Sequence, residues 1–254
     1  MIRRFNRYEL KYVLPYKQYQ DVLKDFNGFL ETDMHAGTNG IYRISSLYYD
    51  SPDLSCYRNK IDGIKYRRKL RLRIYKDSDL TFGFIEIKQR INKKFQKRLL
   101  RLPIEEAKAL CAGEDIGIQH MDSTDAETAA EVIYLVKTLC LKPQCIISYH
   151  RRAYEGSRYE HGLRVTFDTH LKYRRNELDV TTLCKDRFFL PPDRVVMEVK
   201  ANERVPTWLT SLVGLHQCSL QRVSKYCIGI ESGEALLRQS RVLSNNNQRL
   251  SSLS

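Results

Sequence analysis

The sequence predicts an α+β fold whose main part is an antiparallel sheet. Residues 70–74 and 82–90 alternate apolar and charged side chains with the two-residue period of a β-strand. Turn signals at 50–53, 62–63 and 77–78 separate the strands closely, which favours an antiparallel meander. Apolar residues with helical spacing lie outside this run of strands, so helices are expected to flank the sheet.

Strands and helices can be assigned in order along the chain. The strands are expected at 7–14, 42–49, 69–75, 82–90, 96–102, 144–154, 163–171 and 194–200. The helices are expected at 15–28, 104–111, 124–139, 207–215 and 233–243. Pro15 suits the first position of its helix, and Thr124 with Glu127 three residues later forms a capping box.

Neither an internal repeat nor a clear linker divides the sequence. Residues 1–243 are therefore predicted to form one domain. Residues 244–254 are polar and rich in Ser and Asn, which is typical of a disordered tail.

The composition indicates a protein that binds anions. Its 43 Lys and Arg outnumber its 30 Asp and Glu, and the net charge of +13 suits nucleic acid, a nucleotide, polyphosphate or an anionic membrane surface. The glycine-rich motifs of the common nucleotide-binding folds are missing from the sequence. No apolar run approaches the ~18 residues of a membrane-spanning helix, and the scattered cysteines are typical of free thiols, so a soluble cytoplasmic protein is expected.

The charged residues of each predicted strand share one face. Arg71 and Arg73, for example, stand opposite Leu70 and Leu72. The carboxylates on these basic faces are Glu9, Glu86, Asp168 and Glu198. A half-solvated sheet explains any single strand of this kind. Cations mixed with a few carboxylates are also what a metal-bound phosphate chain needs, and in a curled sheet they would line a lumen that holds water or anions.

Seven short motifs follow one another along these segments. They are ELKY at 9–12, SLYYD at 46–50, RLR at 71–73, IEIK at 85–88, YHRRAY at 149–154, MEVK at 197–200 and SKY at 224–226. In this order they resemble the motifs of VTC domains, the polyphosphate polymerase domains of the triphosphate tunnel metalloenzymes, which are relatives of the CYTH phosphatases. The resemblance extends from about residue 7 to residue 230.

This resemblance implies an antiparallel β-barrel that forms a tunnel, in which basic side chains bind a triphosphate or a growing polyphosphate. The implied catalytic phosphate ligands are Lys11, Arg71, Arg73, Lys88, Arg151 and Lys200. The implied residues further along the tunnel are Arg90, Lys97, Arg222 and Lys225, with Tyr149 as a supporting donor and Lys60, Lys65 and Arg67 competing for one position. Glu198 would hold Mn²⁺ or Mg²⁺, with Glu86 as a helper.

The implied activity is transfer of the γ-phosphoryl group of ATP to a polyphosphate chain, with release of ADP. Such a transfer needs charge neutralisation and in-line positioning rather than a protein nucleophile. The implied partners are ATP and inorganic polyphosphate. Family members are often coupled to transmembrane domains, so a separate membrane-protein partner is left open.

Two other interpretations of the sequence stay open. A tunnel triphosphatase would use the same cations with water as the acceptor; CYTH phosphatases begin with E-x-E-x-K, however, and the sequence Arg7-x-Glu9-x-Lys11 favours holding a long anion over hydrolysing a short one. A non-catalytic module that binds polyphosphate or nucleic acid is the third interpretation. Nucleic acid is disfavoured because most tyrosines lie at strand positions, where packing explains them.

Overall fold

The fold centres on one ten-stranded sheet. The structure, a computed structural model, describes residues 7–26, 28–33, 40–76, 80–92 and 94–235. The strands are β1 (Arg7–Pro15), β2 (Leu30–Thr32), β3 (Ile41–Asp50), β4 (Tyr66–Tyr75), β5 (Phe82–Ile91), β6 (Lys94–Pro103), β7 (Lys142–Gly156), β8 (Arg164–Arg174), β9 (Arg187–Phe188) and β10 (Arg194–Asn202). The helices are α1 (Tyr16–Phe26), α2 (Ser55–Ile61), α3 (Ile104–Ala112), α4 (Ser123–Thr138), α5 (Thr207–Leu215) and α6, whose described part is 225–235.

The strands follow the order β1-β10-β8-β7-β3-β4-β5-β6, with β2 paired to β7 and β9 paired to β8. Each of these pairings is antiparallel, which confirms the predicted fold class. Within the described residues, the terminal strands β1 and β6 are not paired with each other. The expected barrel is therefore corrected to an open sheet.

The open sheet is nevertheless strongly curved. Lys88 on β5 and Lys200 on β10 are separated by four intervening strands, which in a flat sheet would place them about 24 Å apart. The ammonium group of Lys200 still contributes to lowering the pKa of Lys88. Because such an effect weakens with distance, β5 and β10 must face each other across a concave surface.

Much of the convex face of the sheet is apolar and packs against helices. Leu70, Leu72 and Ile74 are at most 1% exposed in a cluster that includes side chains of α3 and α4. Phe167 and Val199 belong to a second cluster with α1 and α5. Each such burial stabilises the fold by about 1.5–3 kcal/mol. Since strand side chains alternate, the residues between them point into the concave side.

Helix α6 fills one end of the concave side. Its residues Tyr226, Cys227 and Ile230 are buried in a third cluster that also contains Ile147 of β7. A Cβ atom built on Gly229 would lie 2.6 Å from Ile147 Cδ1, so the absence of a side chain permits this close packing. The remaining concave surface stays polar.

The structure differs from the predicted elements in several places, and the short strands β2 and β9 were not predicted. Pro15 ends β1 instead of starting α1, and α2 is a helix that the sequence did not indicate. The predicted capping box is wrong: α4 begins one residue earlier, and Asp122 Oδ1 accepts from the backbone N–H groups of Thr124 and Asp125 at 3.0 Å. The last helix is already present at residue 225, earlier than predicted.

Some predictions fall outside the described residues. These are the turn at 77–78, the helix end at 236–243 and the tail at 244–254. Within the described part of the chain, no helix has the length and apolar character required to cross a bilayer.

Candidate functional site

The concave surface carries most of the predicted site residues. We call it the basic groove, defined by Lys11, Arg71, Arg73, Lys88, Arg151, Lys200 and Glu198. On one side of it, on β4 to β6, the cations surround one buried carboxylate. On the other side, on β1 and β10, lysines alternate with two carboxylates.

Glu86 is the centre of the first side. It is 1% exposed, and Arg71 Nη2 donates to its two oxygens at 2.9 and 2.8 Å. Arg73 Nη1 lies 3.2 Å and Lys97 Nζ 3.3 Å from the same carboxylate. Burial alone would raise the pKa of Glu86, but these cations outweigh it and hold the pKa well below its ordinary value. The ionised Glu86 therefore fixes the arginines in place.

Hydroxyl groups of neighbouring strands orient the same arginines. Arg71 Nη1 donates to Tyr48 Oη at 3.0 Å, Arg73 Nε to Ser46 Oγ at 3.3 Å, and Arg73 Nη2 to Tyr149 Oη at 3.4 Å. Burial favours a higher pKa for Tyr48, but Arg71 and Arg73 outweigh it and lower the pKa. The buried Nε of Arg71 has no hydrogen-bond partner among the described residues. Such an unpaired donor is costly, and a ligand oxygen or water would satisfy it.

The second side of the groove is built on the pairing of β1 with β10. Its register sets Lys11 opposite Glu198 and Glu9 opposite Lys200. Lys200 Nζ lies 2.6 Å from Glu198, and Lys11 Nζ lies 2.7 Å from Glu9 and 4.0 Å from Glu198. Despite its burial, Glu198 has a pKa held well below its ordinary value, chiefly by Lys200 and Lys11. Glu198 is therefore ionised at neutral pH.

Asp168 lies between the two sides and is 0% exposed. Arg151 donates to both of its oxygens, from Nε at 2.7 Å and Nη2 at 2.8 Å, and Lys225 Nζ lies 2.7 Å from Oδ2. Burial opposes ionisation of Asp168, but Arg151 and Lys225 lower its pKa. Both cations also contribute to the low pKa of Glu198, so Asp168 holds them near Glu198.

Lys88 is a cation in a strongly positive environment. Its side chain is accessible to water, as expected for a residue that lines an open groove. The charge of Arg71, followed by the partial loss of hydration within the groove, lowers its pKa well below the ordinary value, and the attraction of Glu86 does not compensate. The surroundings of Lys88 therefore carry an excess of positive charge.

Helix α2 brings Lys60 towards the groove. Asp50 caps this helix by accepting from the backbone N–H groups of Cys56 at 2.8 Å and Tyr57 at 3.0 Å. Burial, then repulsion from Arg67 and Lys69, lowers the pKa of Lys60. Lys60 and Arg67 thus approach the same basic surface.

Four predicted substrate-binding residues lie towards its margins. Lys97 is half exposed but contacts Glu86, whereas Lys65 and Arg222 are exposed. Arg90 Nε donates to the carbonyl oxygen of Asn92 at 2.7 Å. Their role in binding a substrate stays a prediction, as does the choice among the three residues that compete for one position.

Several residues of the groove were not selected from the sequence. They are Glu9, Ser46, Tyr48, Lys69, Thr166 and Asp168. Parity placed Glu9, Lys69 and Asp168 on basic faces, but only the register of β1 with β10 and of β7 with β8 shows which carboxylates meet which cations.

The oxygen donors near Glu198 fit a divalent cation. Glu9 is close enough that Glu198 raises its pKa, although Lys11 and Lys200 more than compensate. Thr166 lies opposite Glu198 on β8, and its buried hydroxyl has no hydrogen-bond partner in the described part of the chain. No group of three or more His, Cys, Asp or Glu side chains comes together among the described residues. Glu198, Glu9 and Thr166 offer fewer oxygen donors than Mg²⁺ or Mn²⁺ takes, so an ion held here would need further ligands from outside the chain.

Glu86 is a weaker candidate for the same ion. Its two oxygens already accept from Arg71 and face Arg73 and Lys97. The contacts of Glu86 favour a role in orienting the arginines over the predicted role as a helper ligand.

Comparisons with known proteins find one family model and several solved structures that are similar to the described chain. The family model of the VTC domain matches residues 6–233. The structure resembles that of a proposed adenylate cyclase from Bacillus halodurans, with a TM-score of 0.51 and 11% identity over 86% of this chain and 95% of that chain. A proposed adenylyl cyclase from Hippeastrum, described as having a dominant triphosphatase activity, aligns with a TM-score of 0.48 and 12% identity over 89% of this chain and 95% of that chain. At these identities the structural likeness concerns the fold alone, and a search of curated proteins finds no match.

Proposed function

Because the chain belongs to the VTC domain family, within the triphosphate tunnel metalloenzymes, we propose that it is a polyphosphate polymerase. In this proposal it transfers the γ-phosphoryl group of ATP to the end of an inorganic polyphosphate chain and releases ADP. The proposed setting is the cytoplasm, with a separate membrane-protein partner left open.

One observation carries this proposal: the basic groove holds more cations than its carboxylates neutralise. Its carboxylates are Glu9, Glu86, Asp168 and Glu198, and each already contacts at least one cation. The positive charge of Arg71 is the main cause of the lowered pKa of Lys88, and repulsion from Arg67 and Lys69 adds to the effect of burial on the pKa of Lys60. A long polyanion would supply the missing negative charge along the whole groove.

The residues of the groove suit phosphoryl transfer through positioning and electrostatics. Arg71 and Arg73 would bind the equatorial oxygens of the transferred group, while Lys11 and Lys200 hold neighbouring phosphates. The terminal oxygen of the acceptor chain attacks the γ-phosphorus as the bond to the β,γ-bridging oxygen breaks, so ADP leaves and no side-chain nucleophile is needed. A divalent ion held by Glu198 would supply Lewis-acid stabilisation of the phosphate oxygens when bound.

A tunnel triphosphatase is the second candidate function. It is favoured by the closeness of Glu9 to Glu198, because two neighbouring carboxylates suit a metal-bound water as the acceptor. In that case the same cations would bind a short triphosphate, and orthophosphate would be a product.

Product analysis separates the candidates. The purified chain is incubated with ATP and Mn²⁺, phosphate products are resolved on a gel, and nucleotides are quantified. We expect long phosphate chains, with one ADP released for each phosphate incorporated, and loss of both products in Glu198→Ala and Arg71→Ala. Lys137→Ala, which removes an exposed charge on α4, is the control and should keep the wild-type rate.

The other outcomes are equally informative. Orthophosphate as the sole phosphate product would overturn the polymerase and favour the triphosphatase. Tight polyphosphate binding without consumption of ATP would favour a binding module.

A further inference from the structure

A second basic pocket lies on the convex side of the sheet. Its volume is about 230 Å³. The basic and imidazole side chains at this pocket are Arg43, Lys76, His150, His170, Lys172 and Lys185. Ser148 and His150 have the opposite strand parity to Tyr149 and Arg151, so they face away from the basic groove. We call this cavity the outer pocket.

An irregularity of the sheet shapes the outer pocket. The register of β7 with β8 shifts between Ser148 and His150, and His170 adopts a left-handed backbone conformation with φ of 52°. A bulge of this kind redirects side chains. It brings the rings of His150 and His170 to a centroid distance of 4.9 Å at the pocket.

The charge of the outer pocket is strongly positive. Asp186 is the one carboxylate among its described lining residues. It is already engaged, because Arg174 Nη1 donates to it at 3.0 Å and Ser148 Oγ at 2.5 Å. Burial lowers the pKa of Lys76, and repulsion from Arg174 and Arg43 adds to this, outweighing the attraction of Asp186. The neighbourhood therefore holds more cationic than anionic charge.

We propose that the outer pocket binds the phosphate group of a soluble small molecule, as a second anion site separate from the basic groove. A guanidinium fork, lysine ammonium groups and imidazole N–H groups are the donors that a compact, multiply charged phosphate requires. The cavity is smaller than the roughly 300–1,000 Å³ of sites for drug-sized ligands. Its size suits orthophosphate or a small phosphomonoester and excludes burial of a long phosphate chain.

Histidine NMR spectra test this site directly. The full chain is labelled with ¹³C in its histidine rings, His150→Gln and His170→Gln assign the two signals, and orthophosphate or glycerol phosphate is added. Sodium chloride of matched ionic strength controls for salt. We expect saturable shifts of the His150 and His170 signals, with the His161 signal unchanged.

Variants distinguish the outer pocket from the basic groove. The double variant Lys76→Gln/Lys172→Gln should lose these shifts, while the groove variant Arg71→Ala and the surface control Lys137→Ala should keep them. Circular dichroism verifies that each variant is folded. Shifts that disappear in Arg71→Ala and persist in the double variant would overturn the proposal, because the signals would then report on the groove. Lack of any saturable shift in the wild type would also overturn it.

Discussion

The two sides of the basic groove hold charge in different ways. On β4 and β5, Arg71 binds both oxygens of Glu86, and this carboxylate is further surrounded by Arg73 and Lys97. On β1 and β10, the Nζ atom of Lys200 lies 2.6 Å from the Glu198 carboxylate and that of Lys11 lies 4.0 Å from it. Hydrogen bonds from Arg71 to Glu86 and to Tyr48 Oη hold its planar guanidinium group in one orientation, whereas a lysine is a flexible point charge.

Under the proposed function, this difference would give separate tasks to the two sides. The arginine side is held in one arrangement before a substrate arrives, which suits orientation of the reacting phosphoryl group. The lysine side can release Glu198 towards a divalent ion, since Lys11 and Lys200 can turn to phosphate oxygens instead. The predictions below alter one side at a time.

The largest effect is expected from Glu86→Gln. This change leaves Arg71, Arg73 and Lys97 without their shared carboxylate, so the free energy of unfolding should fall by about 3–5 kcal/mol. Added tripolyphosphate should restore much of the loss, because it supplies negative charge to the same cations. Denaturant unfolding with and without tripolyphosphate measures both effects.

A matched control lies on the convex face. Glu131 also contacts two arginines, Arg98 at 2.7 Å and Arg68 at 3.6 Å. Glu131→Gln should cost about 1 kcal/mol or less, and tripolyphosphate should give it no greater stabilisation than it gives the wild type. Equal losses and equal rescue in the two variants would contradict the special role of Glu86.

The next effect concerns Glu198→Gln. Turnover should fall by about 10²–10³-fold, as is typical when one electrostatic element of a transition state is removed. Binding of tripolyphosphate without metal should be unchanged or tighter, because the change removes negative charge from the groove. Steady-state kinetics measures the turnover, and calorimetry measures the affinity for tripolyphosphate. Turnover at the wild-type rate would refute the proposed role of Glu198 as a metal ligand. Glu127→Gln, at an exposed position of α4, is the control and should keep the wild-type turnover.

Exchanging the two types of cation sharpens the comparison. Arg71→Lys removes the guanidinium group that contacts Glu86 and Tyr48 through two different nitrogens, and it should weaken tripolyphosphate binding about tenfold. Lys200→Arg keeps a cation where geometry is less constrained, so a smaller change is expected. Calorimetric titration of both variants measures the difference. A larger loss of tripolyphosphate affinity in Lys200→Arg than in Arg71→Lys would contradict the proposed division of tasks.

The smallest effect is a pH dependence that originates at Lys88. Its pKa in the free protein lies well below 10.5, chiefly because of Arg71, and a bound polyanion should raise it again. Binding should therefore take up a proton and weaken as pH rises through the lowered pKa towards 10.5. Calorimetry in buffers of different ionisation enthalpy detects the uptake. In Lys88→Arg, which remains charged, the uptake should decrease; the same uptake in this variant would assign the proton to another group.

The sequence was sufficient to predict the eight longer strands and, within their regular parts, the face that a residue occupies. Alternation separates Arg71 and Arg73 from Leu70 and Leu72, and it also separates Glu198 from Val199, because a strand has only two faces. Short-range turn and helix signals located most elements.

Long-range features could not be read in this way. Glu86 lies next to Arg71 only because β4 pairs with β5 in one register, and Asp50 caps α2 from several residues before its first turn. Tertiary packing determines the curvature that sets Lys88 near Lys200. It also determines that β1 and β6 do not pair within the described residues. Local pattern carries no information about either.

The most direct test of the groove is a crystal structure of the chain with tripolyphosphate and Mn²⁺. We predict one phosphate chain inside the concave surface, with oxygens within hydrogen-bond distance of Arg71 or Arg73 at one side and of Lys11 or Lys200 at the other, and the metal at Glu198. Tripolyphosphate bound only outside the groove, or in contact with one side alone, would contradict a single polyanion site shared by both.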